Sequence, residues 1–105
     1  MDARIYLVVF TVKVTVRLFT TLRELAGKRI ETLQFNSGDI TVRHVLEKLA
    51  QKNEREVQDY LFKEKTVRDH LQILLNGRSV SLMEHLETPV KNGDEIAIIP
   101  PVGGG

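Results

Sequence analysis

The chain contains no cysteine, no tryptophan and no run of five like charges. Without cysteine there are no disulfide staples, no thiolate metal sites and no cysteine nucleophile, and redox chemistry leaves the compartment open. Basic and acidic side chains number 15 and 14, for a formal net charge of +1. That balance gives no electrostatic footprint for nucleic acid or an anionic membrane. The strongly apolar stretch, Ile5 to Phe10, is too short to span a bilayer and is followed by Lys13 and Arg17 with no small-residue cleavage site. These absences lead us to expect a cytoplasmic protein with soluble protein partners and no nucleic-acid or membrane role. At 105 residues the chain is one small domain, with room for a single core but not for an elaborate catalytic cleft as well.

What is present has clear periodicity. Val12, Val14, Val16 and Leu18 alternate with Lys13, Thr15, Arg17 and Phe19, the pattern of a half-buried strand. Thr21 and Glu24 have capping-box spacing, which predicts a short helical turn ended by Gly27. A second strand is expected over about Arg29 to Asn36, then turn chemistry at Ser37-Gly38-Asp39. Val42, Val45, Leu46, Leu49 and Ala50 form a helical apolar stripe, with Thr41 as N-cap and Ile40 as a hydrophobic staple on Val45. Glu54 to Leu61 is read as a second, short helix. Leu71 to Leu75 is a strand, Asn76-Gly77 a hairpin turn, and Ser79-Val80 its brief partner. Ser81 and Glu84 suggest another capping box, with one helical turn over Leu82 to Leu86 stopped by Thr88-Pro89. Asn92-Gly93-Asp94 then turns the chain into a last strand, Glu95 to Ile99. The order predicts an α+β fold, a small mixed sheet packed on one main helix.

The chain finishes Pro100-Pro101-Val102-Gly103-Gly104-Gly105. Three glycines pack no core and carry no polar side chain, so their use lies in threading a narrow channel with the α-carboxylate in front. The prolines lack N–H donors and fix φ, which stops strand pairing and stiffens the root of the tail. Six extended residues reach about 20 Å, enough to enter a partner's buried active site.

Strand parity bears on binding. With Val12, Val14, Val16 and Leu18 inward, Phe19 turns to the open side of the sheet. Inward Ile96 and Ile98 turn Ala97 and Ile99 outward, and inward Leu71, Ile73 and Leu75 do the same for Leu74. A contiguous apolar patch beside the tail root marks an interaction surface.

The run Val12 to Gly27 (VKVTVRLFTTLRELAG), the hairpin Leu74 to Arg78 (LLNGR) and the ending Asn92 to Gly105 (NGDEIAIIPPVGGG) resemble the small subunit of molybdopterin synthase. The resemblance covers nearly everything after Val12 and implies a β-grasp, or ubiquitin-like, fold and a sulfur-carrier role. It implies that an E1-like adenylating enzyme activates Gly105 with ATP and that sulfur then replaces the AMP. The thiocarboxylate enters the large subunit of molybdopterin synthase, where it supplies the dithiolene sulfurs. On this resemblance Gly105 is the carrier site, Gly104 and Gly103 serve threading, and Phe19, Arg23 and Ile99 match positions that meet partners; Leu74 joins them by parity. Gly103 stands where the family commonly has a side chain. The carrier binds no cofactor or metal of its own and has no catalytic side chain.

Residues 12–99 are thus expected to form the domain, 100–105 the carrier tail and 1–11 an N-terminal extension. That extension precedes the family's usual start. Either Ile5 to Phe10 pairs as an apolar edge with a second copy, giving a homodimer, or translation starts near Val12. Among competing functions, a small hydrolase lacks a nucleophile–base pattern, and His44, His70 and His85 have no metal-like spacing. Asp39 and Asp94 sit in turns and need no catalytic role. A ubiquitin-like modifier conjugated through its C-terminal glycine and a thiamin-type sulfur carrier share the tail and stay open as alternatives, and a pure binding module would leave the glycines unused.

Overall fold

The computed structural model describes residues 11–64, 66–68 and 70–100. The first strand, β1 (Val12–Leu18), keeps the alternation of the sequence, with its four apolar residues buried and Lys13 and Arg17 exposed. Helix α1 (Thr20–Ala26) follows and ends at Gly27, whose φ of 74° lets its N–H reach the carbonyl of Arg23 at 2.9 Å. Strand β2 (Ile30–Phe35) returns antiparallel to β1, pairing Val12 with Phe35 and Arg17 with Ile30. A two-residue strand β3 (Ile40–Thr41) leads into the main helix α2 (Val42–Lys52), which buries Val42, Val45, Leu46, Leu49 and Ala50. This is the face that the apolar spacing predicts. Helix α3 (Arg55–Leu61) buries Val57 and Leu61.

A small hairpin, β4 (Phe62–Lys63) with β5 (Thr66–Val67), precedes β6 (Gln72–Leu75) and β7 (Arg78–Ser79). Asn76 and Gly77 join β6 to β7 with φ of 50° and 85°, the left-handed pair a two-residue hairpin requires. Two 3₁₀ turns, Val80–Leu82 and His85–Glu87, lead to β8 (Pro89–Val90), which pairs with β3, and to β9 (Glu95–Ile99). The main sheet has the order β2-β1-β9-β6-β7, with β9 parallel to β1 and antiparallel to β6. One mixed sheet covering one long helix in this order is a ubiquitin-like β-grasp domain. The core lies between them, with Val14, Val16, Leu33, Leu46, Leu49 and Ile96 fully enclosed. Because β1 and β9 are parallel, the chain enters the sheet at Val12 at one end and leaves at Ile99 at the other.

Local expectations fail where tertiary geometry overrides them. The Thr21–Glu24 capping box does not cap α1: the helix begins at Thr20, and the capping position falls on Phe19, which has no side-chain oxygen to offer. The sharp passage from strand to helix puts Thr20 at a φ of 45°, an unusual value for a β-branched residue. Ser81 and Glu84 likewise form no capping box. Ser79 accepts the N–H of Ser81 instead, the N–H of Glu84 goes to the Thr88 hydroxyl at 3.0 Å, and the expected helical turn over Leu82–Leu86 is split between the two 3₁₀ turns. Val80 belongs to the first of these turns rather than to a strand. The cap at Thr41 forms, with His44 Nδ1 accepting the Thr41 N–H at 3.0 Å and lying 3.1 Å from its hydroxyl. The extension expected at residues 1–11 and its pairing with a second copy fall outside the described residues, Thr11 excepted.

Candidate functional site

The outer face of the main sheet, opposite α2, is built from the residues that parity turns away from the core. One row crosses four strands: Ile30 pairs with Arg17, Arg17 with Ala97, and Ala97 with Leu74. Leu18 pairs with Ile98, so continuing the same register sets Phe19 beside Ile99, which pairs in turn with Gln72. Phe19 is extended (φ −123°, ψ 153°) and 36% exposed, and Ile30 is 47% exposed. Leu74, Ala97 and Ile99 are half-buried among their neighbours on the same face. Large apolar groups in two adjacent rows form a patch where isolated ones would need no explanation.

The structure therefore brings together Phe19, Leu74 and Ile99 as the alternation predicts. Arg23 lies exposed on α1, one turn after Phe19, with its N–H on the Phe19 carbonyl at 3.3 Å. Gly103, Gly104 and Gly105 lie outside the described residues, whose last member is Pro100, directly after Ile99. Sequence reasoning missed Ile30. Its signal was present, since inward Leu33 and Phe35 imply an outward Ile30 by the same period of two, but the β1–β2 register that aligns it with the patch is a long-range fact. The Arg17–Glu95 ion pair was also missed; Arg17 Nε lies 2.9 Å from Glu95 Oε1 on this face, with both side chains about half exposed.

Asp94 and His44 have side-chain partners in the fold, and Asp39 takes part in its turn through its backbone. Asp94 Oδ1 accepts from Asn76 Nδ2 at 3.0 Å and Oδ2 from the Lys91 N–H at 2.7 Å, closing the turn before β9. Asp39 donates its backbone N–H to Ser37 Oγ at 3.3 Å. His44 serves the α2 cap, and His70 and His85 are exposed. Among the described residues no three side chains are grouped to hold a metal ion. A concavity of about 550 Å³ between β6 and the 3₁₀ turns is lined by Leu71, Ile73, Val80 and Leu86 with His70 and His85 at its margin. Its serine hydroxyls, Ser79 and Ser81, bond each other at 2.7 Å rather than a base. The arrangement is suited to presenting a surface and a chain end, and no described residues form the nucleophile, base and orienting group of a hydrolytic site. No described helix is long and apolar enough to cross a membrane.

Comparison with known proteins agrees with this geometry. A family model described as the ThiS family matches residues 16–105. The molybdopterin synthase sulfur carrier subunit of Haemophilus influenzae is 40% identical over 86% of this chain and 96% of its own length. Small archaeal modifier protein 3 of Haloferax volcanii is 32% identical over 85% of this chain and 95% of its own. The solution structure of small archaeal modifier protein 1 from Methanosarcina acetivorans superposes with a TM-score of 0.79 at 34% identity, covering 91% of this chain and 99% of that one. With the family model running from Val16 within β1 through the main helix and the remaining strands to Gly105, the chain belongs to the ThiS family.

Proposed function

We propose that this chain carries sulfur on its C-terminal glycine and delivers it, as the small subunit of a molybdopterin synthase, for dithiolene formation. The observation that carries the reading is the placement of the chain end: β9 lies in the middle of the sheet, and its last residue, Ile99, sits in the apolar row with Phe19 just before Pro100 and the glycines. A partner docked on that face receives the tail at its own active site. The 40% identity to the Haemophilus influenzae subunit supports the same assignment.

In this reading an E1-like adenylating enzyme uses ATP to activate Gly105. The Gly105 carboxylate attacks the α-phosphorus of ATP, the bond to the β-phosphate oxygen breaks, and pyrophosphate leaves. The product is an acyl adenylate, whose AMP is a far better leaving group than the oxide a free carboxylate would have to expel. A hydrosulfide-level sulfur donor then attacks the carbonyl carbon, a C–S bond forms as the C–O bond to AMP breaks, and Gly105 ends as a thiocarboxylate. Gly104 and Gly103 let the backbone pass close walls, while Phe19, Arg23, Leu74 and Ile99 hold the partner. The chain supplies no catalytic side chain, and ATP binds to the activating enzyme. The test is intact-mass analysis after incubation with the cognate activating enzyme, ATP and a sulfur source, which should show one oxygen-to-sulfur exchange at the C-terminus.

A second reading rests on the relatives named small archaeal modifier proteins, one of which is 34% identical to this chain over nearly its whole length. In that reading the same activated Gly105 forms an isopeptide bond with lysines of other proteins. Tryptic digestion of a conjugation mixture separates the two, because a modifier leaves its Asn92–Gly105 peptide on target lysines and a dedicated carrier does not.

A further inference from the structure

Among the described residues, strand β2 is an edge of the main sheet, with β1 as its only neighbour. The carbonyl of Arg29, just before it, accepts from the Leu18 N–H at 2.8 Å and so faces β1. Backbone groups alternate in direction along a strand, so Ile30, Thr32 and Gln34 turn their N–H and C=O groups to the open side. Lys48 of α2 closes part of that side: its ammonium donates to the Gln34 carbonyl and lies 4.6 Å from the centroid of the Phe35 ring. Two independent contacts thus hold a strongly hydrated charge over the end of a free edge, where its own helix would let it extend into water. A lysine placed on an edge strand disfavours pairing with another chain, since a second strand would have to displace or bury the charge.

The pattern of β2 also says which strand would pair there. Two copies related by a two-fold axis through Thr32 would set Ile30 opposite Gln34, Thr32 opposite Thr32 and Gln34 opposite Ile30, so that every outward backbone group finds a partner. The exposed Ile30 side chain would add apolar contact. In that register the Gln34 carbonyl is the acceptor required by the Ile30 N–H of the second copy, and it is the acceptor Lys48 occupies. We propose that Lys48 is an edge guard that keeps β2 from pairing antiparallel with a second copy of this chain. The device is separate from the tail chemistry and leaves the apolar outer face free for other partners.

Lys48→Met keeps much of the aliphatic stem over Phe35 and removes the charge and the donor; Lys48→Arg keeps both. Analytical ultracentrifugation of the full chain, with amide hydrogen exchange at matched concentrations, tests the proposal. Lys48→Met should self-associate about a hundredfold more tightly than the unaltered chain, the size expected for loss of one charge-assisted contact in each of the two copies. Amide exchange should slow at Ile30, Thr32 and Gln34. Lys48→Arg should match the unaltered chain in both measurements. The proposal is overturned if Lys48→Met sediments as the unaltered chain does across the concentration range, or if it associates without slowed exchange at those three amides. Should Lys48→Met lose its fold, Lys48→Leu carries the same test, with the same results supporting or overturning it.

Discussion

Glu31 is a carboxylate on the inner face of β2, in line with the apolar Leu33 and Phe35, and only 7% exposed. Burial at that level is tolerable because partners converge on it: Asn53 Nδ2 donates to Oε1 at 2.8 Å, and Lys28 Nζ lies 3.4 Å away. Asn53 also donates to the Leu49 carbonyl at 2.8 Å, so one amide ties the end of α2 to the sheet. Asn53→Ala should therefore lower the unfolding free energy by about 1–3 kcal/mol, whereas Lys28→Ala, at the exposed end of the ion pair, should cost under about 1 kcal/mol. Urea denaturation of both variants checks this, and the reverse ranking would mean that the ion pair rather than the amide bridge holds the carboxylate. The two threonines near helix starts offer a second comparison. Thr41 caps α2 with His44, so Thr41→Ala should cost about 1 kcal/mol. Thr21 lies inside α1 with no capping role, and Thr21→Ala should change stability by less than about 0.5 kcal/mol despite its capping-box spacing.

At the scale of elements the two faces of the sheet are predicted to respond differently. Phe19→Ala and Ile99→Ala should each weaken binding to the large subunit by about 1–3 kcal/mol while leaving the unfolding midpoint close to that of the unaltered chain. Leu33→Ala, on the enclosed face, should cost about 2–5 kcal/mol of stability. Titration calorimetry and thermal melts of the three variants separate the cases; a stability loss of several kcal/mol for Phe19→Ala with no specific binding loss would make Phe19 a core residue. The strands β1, β2, β6 and β9 and the apolar stripe of α2 were legible because their periods depend only on nearby residues. The β3–β8 pair was not, since Ile40–Thr41 and Pro89–Val90 meet only after α2 and the sheet are in place. The β4–β5 hairpin was hidden for a different reason: Glu64 takes a φ of 51° at a turn with no glycine or asparagine to announce it. Phe19, Leu74 and Ile99 were legible residue by residue, but Ile30 and the continuity of the patch were not, because register joins Ile30 to Ala97 and Leu74 through Arg17.

For the molecule as a whole, parallel β1 and β9 place Val12, where the chain enters the sheet, and Ile99, where it leaves, at opposite ends of the sheet. A chain beginning at Val12 should accordingly still accept sulfur, and any self-association contributed by the extension should disappear, as light scattering alongside the mass assay would reveal. Loss of sulfur acceptance on that truncation would place the extension within the working domain. The central claim concerns the other end: a compact β-grasp body serves to deliver the Gly105 carboxyl group into partner active sites. It is tested most directly by intact mass spectrometry of the full chain and of a variant lacking Gly105, each incubated with the cognate activating enzyme, ATP and a sulfur source. The account predicts one oxygen-to-sulfur exchange at the C-terminal glycine of the full chain and none in the shortened variant; an unchanged full chain, or an equal exchange in both, would contradict it.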